Sequence, residues 1–395
     1  MFHPNRVRTY LIIGLMPLLL ATTIHASEVG RKFPSERKTF VDSLTGATVT
    51  AITTDPASDM KTYQTHPQWT HDGNHIVFRS NRTGSYQYFA YSETSGELVQ
   101  LTEASVGPVF LSRKEATMYT FQGKRNEPPA LVATNIGAIL RDSATGKVKK
   151  PSTYERVIAT LPKNTNHSGG FSLDANETHA YVGIRTTPNK TDTTYALQSI
   201  DLKTGAISTV IDLPFRIGHV QANPFKSGEI LYCHETGGDA PQRMWLINAD
   251  GSNNHPLYQE APTEWITHEV WVTEDYVFFN ISGGQKFTDK RRLKPHGIVS
   301  INVRTNEVMF HDQIPVASCW HCAATPDRTR AIGDSHKGDI YLIDLVNGGR
   351  KLLTAGHHPR GGPAHPHQNF SPDGRRVLFG SDYFGNPDLM TITLP

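Results

Sequence analysis

The stretch AHPHQNFSPDGRRVLFGSD, residues 364–382, sets His365 and His367 one residue apart at the opening of what reads as a β-hairpin. Residues i and i+2 of a strand point to the same face, so both imidazoles would project together. Two convergent imidazoles suit a borderline divalent metal such as Mn²⁺, Fe²⁺, Ni²⁺ or Zn²⁺. Pro366 between them also permits a second reading, in which regularity breaks and both histidines are solvated loop residues. The choice depends on whether other histidines reach the same place.

Elements that would bring them there are repeated along the chain. HPQWTHDGNHIVFRSNRTGSYQYFAYSETSGELVQLT from His66 and HCAATPDRTRAIGDSHKGDIYLIDLVNGGRKLLTAG from His321 share one order: a turn with Asp, a β-rich strand, a polar turn, a second strand, a Gly-containing turn and a third strand. Looser copies start near Val106, Gly169, His219 and His268, and the copy at His367 makes seven. Most copies are spaced by about 40 to 55 residues, the period of a propeller with four-stranded blades. Leu131 to Val157 is expected to be an insertion or the irregular outer part of its blade. The last copy holds only three strands, whereas SLTGATVTAIT near residue 48 is an orphan strand. The expected fold is therefore an all-β, seven-bladed β-propeller, its ring closed by an N-terminal strand joining the last blade. A pair of β-sandwiches is the structural rival, but it does not explain SPDG-like turns recurring at one phase.

Repeat phase carries a geometric consequence. The innermost strand of each blade lines a central channel, so residues at the start of successive repeats converge. His268, His321 and the His365/His367 pair share that phase, as do His66 and His219.

Bulk properties exclude several classes. The 395 residues hold 39 basic and 37 acidic side chains, a net charge of +2, without a long basic run that would mark a nucleic-acid or anionic-membrane surface. Gly (32) and Pro (25) fit many tight turns better than long helices. The N-terminus has Arg6 and Arg8, an apolar run from Tyr10 to Leu20 and Ala26, the layout of a secretory signal peptide. That run is short against the roughly 20 residues of a membrane span. Residues 1–26 are expected to be the signal peptide and 27–395 one exported, periplasmic propeller domain with no membrane segment in its mature form. Of the three cysteines, Cys319 and Cys322 have CxxC spacing but no βαβ or helical context for a redox motif; they read as a local disulfide or as two free buried thiols.

Taken in order, RIGH (216–219), YCHE (232–235), QRMWLINADGSN (242–253), THEVW (267–271), the histidine of SCWH (318–321) and AHPHQNFSPDGRRVLFGSDYFGNP (364–387) resemble the oligogalacturonate lyase family, well over residues 210–395 and mainly by repeat pattern before that. The resemblance implies a seven-bladed propeller that cleaves short pectic oligogalacturonides, small acidic oligosaccharides, by β-elimination with a divalent metal, typically Mn²⁺. It implies that His321, His365 and His367 bind the metal, that His268 is the general base and that Arg243 is the catalytic arginine. The family's fourth ligand is a glutamine three residues before HPH; Gly362 stands there in this chain, leaving Gln368, His357, His358 or water as replacements. Arg216, His219 and His234 are candidates for binding the neighbouring uronate, or are structural hydrogen-bonding residues. Arg243 reads alternatively as an interblade ion pair, and Glu235 and Glu269 would point away from the histidines they follow if their strands are regular.

β-Elimination removes the weakly acidic proton on carbon 5 and expels the oxygen on carbon 4. A cation on the adjacent carboxylate makes that proton easier to remove, and neutral imidazole ligands leave the cation's charge uncompensated. Two other readings remain: a lyase for another uronate oligosaccharide, and a non-catalytic TolB-like periplasmic binding propeller, which would have no use for the ordered Arg and His set.

Overall fold

Polar turns hold these repeats in shape. In blade 1 the Thr70 hydroxyl donates to Asp72 while accepting the His75 amide; Thr325, Asp327 and Arg330 repeat this in blade 6, and Ser371, Asp373 and Arg376 in blade 7. Each such turn reverses the chain between the first two strands of a sheet. The strands that follow, such as QYFAYS and YVFFNISG, hold unbroken apolar runs, YFAY and YVFF, because both faces of a blade are covered by its neighbours.

The computed structural model describes residues 28–394 apart from 104–105, 124–126, 190–191, 239, 263, 284–295, 314–318, 336 and 358–364. The expected leader at 1–26, Gly362 and His358 lie outside the described residues. The described strands form seven antiparallel sheets. Their innermost strands are Asp59–Lys61, Val106–Leu111, Thr165–Leu173, Ile217–Ala222, Glu264–Trp271, Cys319–Ala324 and Asn369–Phe370, opening blades 1 to 7. Seven hydrophobic clusters occupy the seven interfaces between neighbouring blades, so the core is a ring of wedges. One of them sets Phe278 and Ile298 of blade 5 against Cys322 and Ile343 of blade 6. Another sets Phe78 and Tyr91 of blade 1 against Leu378 and Leu389 of blade 7.

Blade 7 is built from both ends of the chain. Asn369–Phe370, Arg376–Ser381 and Asp388–Thr393 are followed outward by Thr48–Ala51, whose Val49 pairs with Ile392, and then by Lys38–Val41. Lys32–Phe33 adds a fifth, outermost strand to blade 1. Between residues 131 and 157 the irregular outer part of blade 2 contains a helix, Ile136–Thr145, capped by the Asn135 side chain and ended by Gly146 in the left-handed region. Cys233, Cys319 and Cys322 are buried free thiols, which resolves the disulfide alternative in favour of free side chains. Among the described residues no helix is long and apolar enough to cross a membrane.

Candidate metal centre and active site

The inner strands do not run straight past the channel. Backbone register shifts between Thr267 and Val270, between Gly218 and Gln221, and between Cys319 and Cys322, so that His268, His219 and His321 each sit in a bulge. His219 and His268 take positive φ, 45° and 56°, a conformation uncommon outside glycine. Bulges re-aim side chains, and these turn their imidazoles toward one region of the channel.

A bulge leaves backbone carbonyls without strand partners, and long side chains from other blades claim them here. Gln64 of blade 1 donates to the His268 carbonyl at 3.2 Å, Gln221 of blade 4 to that of Glu269 at 2.9 Å, and Gln368 of blade 7 to that of His321 at 2.8 Å. Lys61 donates to the His367 carbonyl and, at 2.7 Å, to Asn369 Oδ1. The backbones of His268, His321 and His367 are thereby each held by a side chain of another blade.

Candidate donor nitrogens of His321, His365 and His367 lie within 4.8 Å of one another. Nitrogens that each reach about 2.1 Å to one ion are at most about 4.2 Å apart, so small side-chain adjustments close this set on a metal. His365 and His367 do not meet by strand alternation, however. They precede the strand Asn369–Phe370, His367 has a φ of 40°, and the Pro366 carbonyl accepts the Gly380 amide. A proline without an N–H and a left-handed residue shape the loop, which corrects the strand-spacing expectation.

Asp334, absent from the sequence-based candidates, holds His321. One of its oxygens is 2.7 Å from Nδ1 and the other accepts the His321 backbone N–H at 2.5 Å. A carboxylate beside Nδ1 keeps the proton there and turns Nε2 toward the cluster, an arrangement common behind metal-bound histidines. The donor set thus fits a divalent ion: imidazoles in front, the carboxylate behind. Both nitrogens of His357 are engaged, by Thr354 and Ser381 at 2.8 Å each, which removes it as a fourth ligand. The Gln368 amide nitrogen is committed to His321, whereas its buried Oε1, the atom an amide offers a metal, has no hydrogen-bond partner among the described residues, which keeps Gln368 open as a fourth ligand.

His268 stands beside this cluster, its ring 4.4 Å from that of His321 and 4.8 Å from that of Trp320. Burial, with the nearby His321, His219 and Arg243, holds its pKa well below the ordinary histidine range, so the ring is neutral. Its buried Nδ1 has no hydrogen-bond partner among the described residues.

Arg243 is buried between two carboxylates, 3.5 Å from Glu235 and 3.5 Å from Glu269 of blade 5. The interblade ion pair is thus present, and the same guanidinium belongs to the cluster around His219. Glu269 is fully buried and also lies 3.1 Å from His219 Nδ1. Burial raises its pKa, but His219 and Arg243 outweigh that and keep it ionised far below the usual carboxylate range. Glu235 and Glu269 therefore do not point out of the site as regular strands would have them: the Thr267–Val270 bulge swings Glu269 into it, and Glu235 enters it just past the end of Glu229–His234. His234 stacks on Phe215 with ring centroids 4.2 Å apart, and Arg216 is exposed, with its carbonyl accepting the Glu235 amide. Tyr63, another residue the sequence did not single out, lies between His219 and His367, with ring centroids at 5.1 and 4.9 Å. His66 is held by Thr65 at 2.9 Å and does not belong to the His321, His365 and His367 cluster.

With this geometry in hand, known proteins supply a comparison. A family model described as oligogalacturonate lyase matches residues 186–355. An oligogalacturonate lyase of Dickeya dadantii is 25% identical, the alignment covering 93% of this chain and 98% of the relative. An oligogalacturonide lyase of Pectobacterium atrosepticum is 24% identical at the same coverages. Among solved structures, an oligogalacturonate lyase in complex with manganese superposes with a TM-score of 0.79 at 23% identity, covering 93% of this chain and 98% of that one. Another, from Vibrio parahaemolyticus, gives 0.78 at 22% identity, covering 93% and 99%. These two structures share the propeller fold.

Proposed function

We propose, proceeding from this chain's kinship with the oligogalacturonate lyases along nearly its whole length, that it is a metal-dependent lyase cleaving short oligogalacturonides such as digalacturonate by β-elimination to unsaturated uronates. The observation that carries the reading is the convergence of His321, His365 and His367 beside a buried, neutral His268. The trio would hold one divalent ion, Mn²⁺ being the one bound in a solved relative, and a cation there would polarise a uronate carboxylate. His268 takes the carbon 5 proton on its free nitrogen, a transfer for which a neutral imidazole beside the bound carboxylate is suited. Arg243 stays charged and, braced by Glu235 and Glu269, presents its fork to substrate oxygens without moving. Aromatic walls from Tyr63 and Trp320 keep water from the reacting end. Export to the periplasm is supported by the leader-like N-terminus and would deliver the enzyme to incoming pectic fragments.

The test is direct. Purified protein supplied with Mn²⁺ should generate ultraviolet absorbance from an unsaturated uronate on digalacturonate, and chelation should abolish it. Absence of bound metal together with no such product on any uronide would reverse the proposal in favour of a binding propeller. Product on other uronide oligomers but not on galacturonides would instead favour the alternative uronate substrate. Fractionation of cells producing the full chain, with the protein retained in the cytoplasm, would overturn export.

A further inference from the structure

Beside the metal-binding trio, across Tyr63, lies a cavity of about 330 Å³ between blades 1 and 4, walled by Lys61, Tyr63, His66, Arg79, Tyr88 and His219. This is near the lower end of ligand-pocket sizes, room for one sugar ring and not for a polymer. Tyr63 touches the rings of both His367 and His219, so the cavity continues directly from the proposed reaction centre.

The charge of its wall is unbalanced. Arg243 in the neighbouring cluster is matched by two carboxylates. Arg79, by contrast, forms no ion pair among the described residues; its guanidinium lies 4.7 Å over the Tyr86 ring, and its buried Nε has no hydrogen-bond partner. Among the described residues Lys61 donates to the neutral oxygens of Thr62, His367 and Asn369 and forms no ion pair. Arg79 is only half-buried, but its Nε is shut away from water without an acceptor, and a ligand carboxylate in the cavity would supply one through two parallel hydrogen bonds. Tyr63 and Tyr88 offer flat apolar faces of the kind that pack on a sugar ring.

We propose that this cavity is the subsite for the uronate adjoining the one that reacts, with Arg79 taking its carboxylate; this rests on the uronide-lyase reading above. In digalacturonate only the reducing-end unit carries a glycosidic oxygen on carbon 4 to expel. The non-reducing unit therefore occupies the cavity, and the two carboxylates of the dimer are read at two places, the metal centre and Arg79. One ring's worth of space accounts for a preference for short chains.

The experiment compares wild type with Arg79→Gln and Arg79→Lys, all Mn²⁺-loaded, on digalacturonate and on its methyl ester at the non-reducing carboxylate. Arg79→Gln should raise KM for digalacturonate about tenfold with kcat within about twofold, the signature of lost uniform binding, with Arg79→Lys in between. The ester should cost wild type a similar factor and cost Arg79→Gln nothing further, because the two changes remove one interaction. If wild type is indifferent to the ester, or if the variants lose equally on both substrates, the subsite is overturned. Should wild type show no elimination at all, the proposed function fails separately. Calorimetric titration with digalacturonate then decides the subsite: weaker binding by Arg79→Gln supports it and unchanged binding overturns it. Melting temperatures of both variants show whether the fold is intact.

Discussion

Asp334 decides which nitrogen of His321 faces the channel, because it occupies both Nδ1 and the backbone amide of that residue. Asp334→Asn leaves one oxygen where two donors need acceptance, so the ring loses its fixed tautomer and aim. Mn²⁺ affinity, measured by competition with a chelator, should fall by about 10 to 100-fold while the protein stays folded; unchanged affinity would mean that Asp334 only supports the strand. His268→Ala is expected to behave in the opposite way. Turnover should drop by about 10² to 10⁴ with metal content retained if His268 is the base proposed above, since its ring stands beside His321 but outside the His321, His365 and His367 cluster. Near-normal turnover in a metal-loaded His268→Ala protein would send the search to His219 and His234. The histidines could be picked out of the sequence because few other side chains do this chemistry and because they recur at one repeat phase. Asp334, Tyr63, Gln64 and Lys61 could not. Aspartate, tyrosine, glutamine and lysine are common everywhere, and what these four do depends on contacts between blades far apart in the chain.

Strands and turns were legible to different depths. Apolar runs bounded by Asp- and Gly-bearing turns announce each blade, whereas the bulges that aim His219, His268 and His321 are one-residue shifts of register, and no glycine marks the positive φ that His219 and His268 take. The Ile136–Thr145 helix buries Ile136, Ile139 and Ser143, a spacing too short to stand out inside an expected insertion. The strand Asp388–Thr393 carries an element-level prediction in its first residue. Asp388 is buried beside Asp59 and Glu36, with Arg82 as the facing cation and Thr53 donating at 3.2 Å; burial first, then Asp59, push its carboxyl up to about 8. At acid pH, below the ordinary carboxylate value near 4, the group is protonated in both folded and unfolded chains and its contribution is fully present. Between there and about 8 only the folded chain keeps the proton, so stability falls as pH rises, and the loss is complete above that. Asp388→Asn keeps the oxygen that accepts from Thr53 and removes this titration. Its melting temperature should exceed that of wild type at pH 9, with a much smaller difference at pH 5. Equal differences at both pH values would show that Asp388 is ionised throughout.

At the scale of the whole molecule, repeat phase made the propeller readable and showed which histidines share one mouth, but it could not show how seven wedges are held together. No disulfide among the described cysteines ties the ends of the chain, and Thr48–Ala51 reaches blade 7 only through strand pairing and packing. Val49 and Ala51 are fully buried among the blade 6 and 7 side chains, and Ile52 is buried between blades 7 and 1, so Val49 and Ile52 each contribute about 1.5–3 kcal/mol by burial alone. A chain beginning after Asp55 lacks these residues together with Lys32–Phe33 and Lys38–Val41. Asp388–Thr393 then becomes an open edge with apolar flanks, a template for pairing with other chains. The truncated protein should melt at lower temperature and aggregate on concentration. Because His365 and His367 lead directly into the first strand of that weakened blade, it should also bind Mn²⁺ less tightly than full-length protein. Size-exclusion chromatography, thermal unfolding and metal content on the same preparation check the three consequences. A monomer of undiminished stability would mean that the C-terminal three strands suffice for blade 7, and that the N-terminal pairing covers an edge without holding the ring.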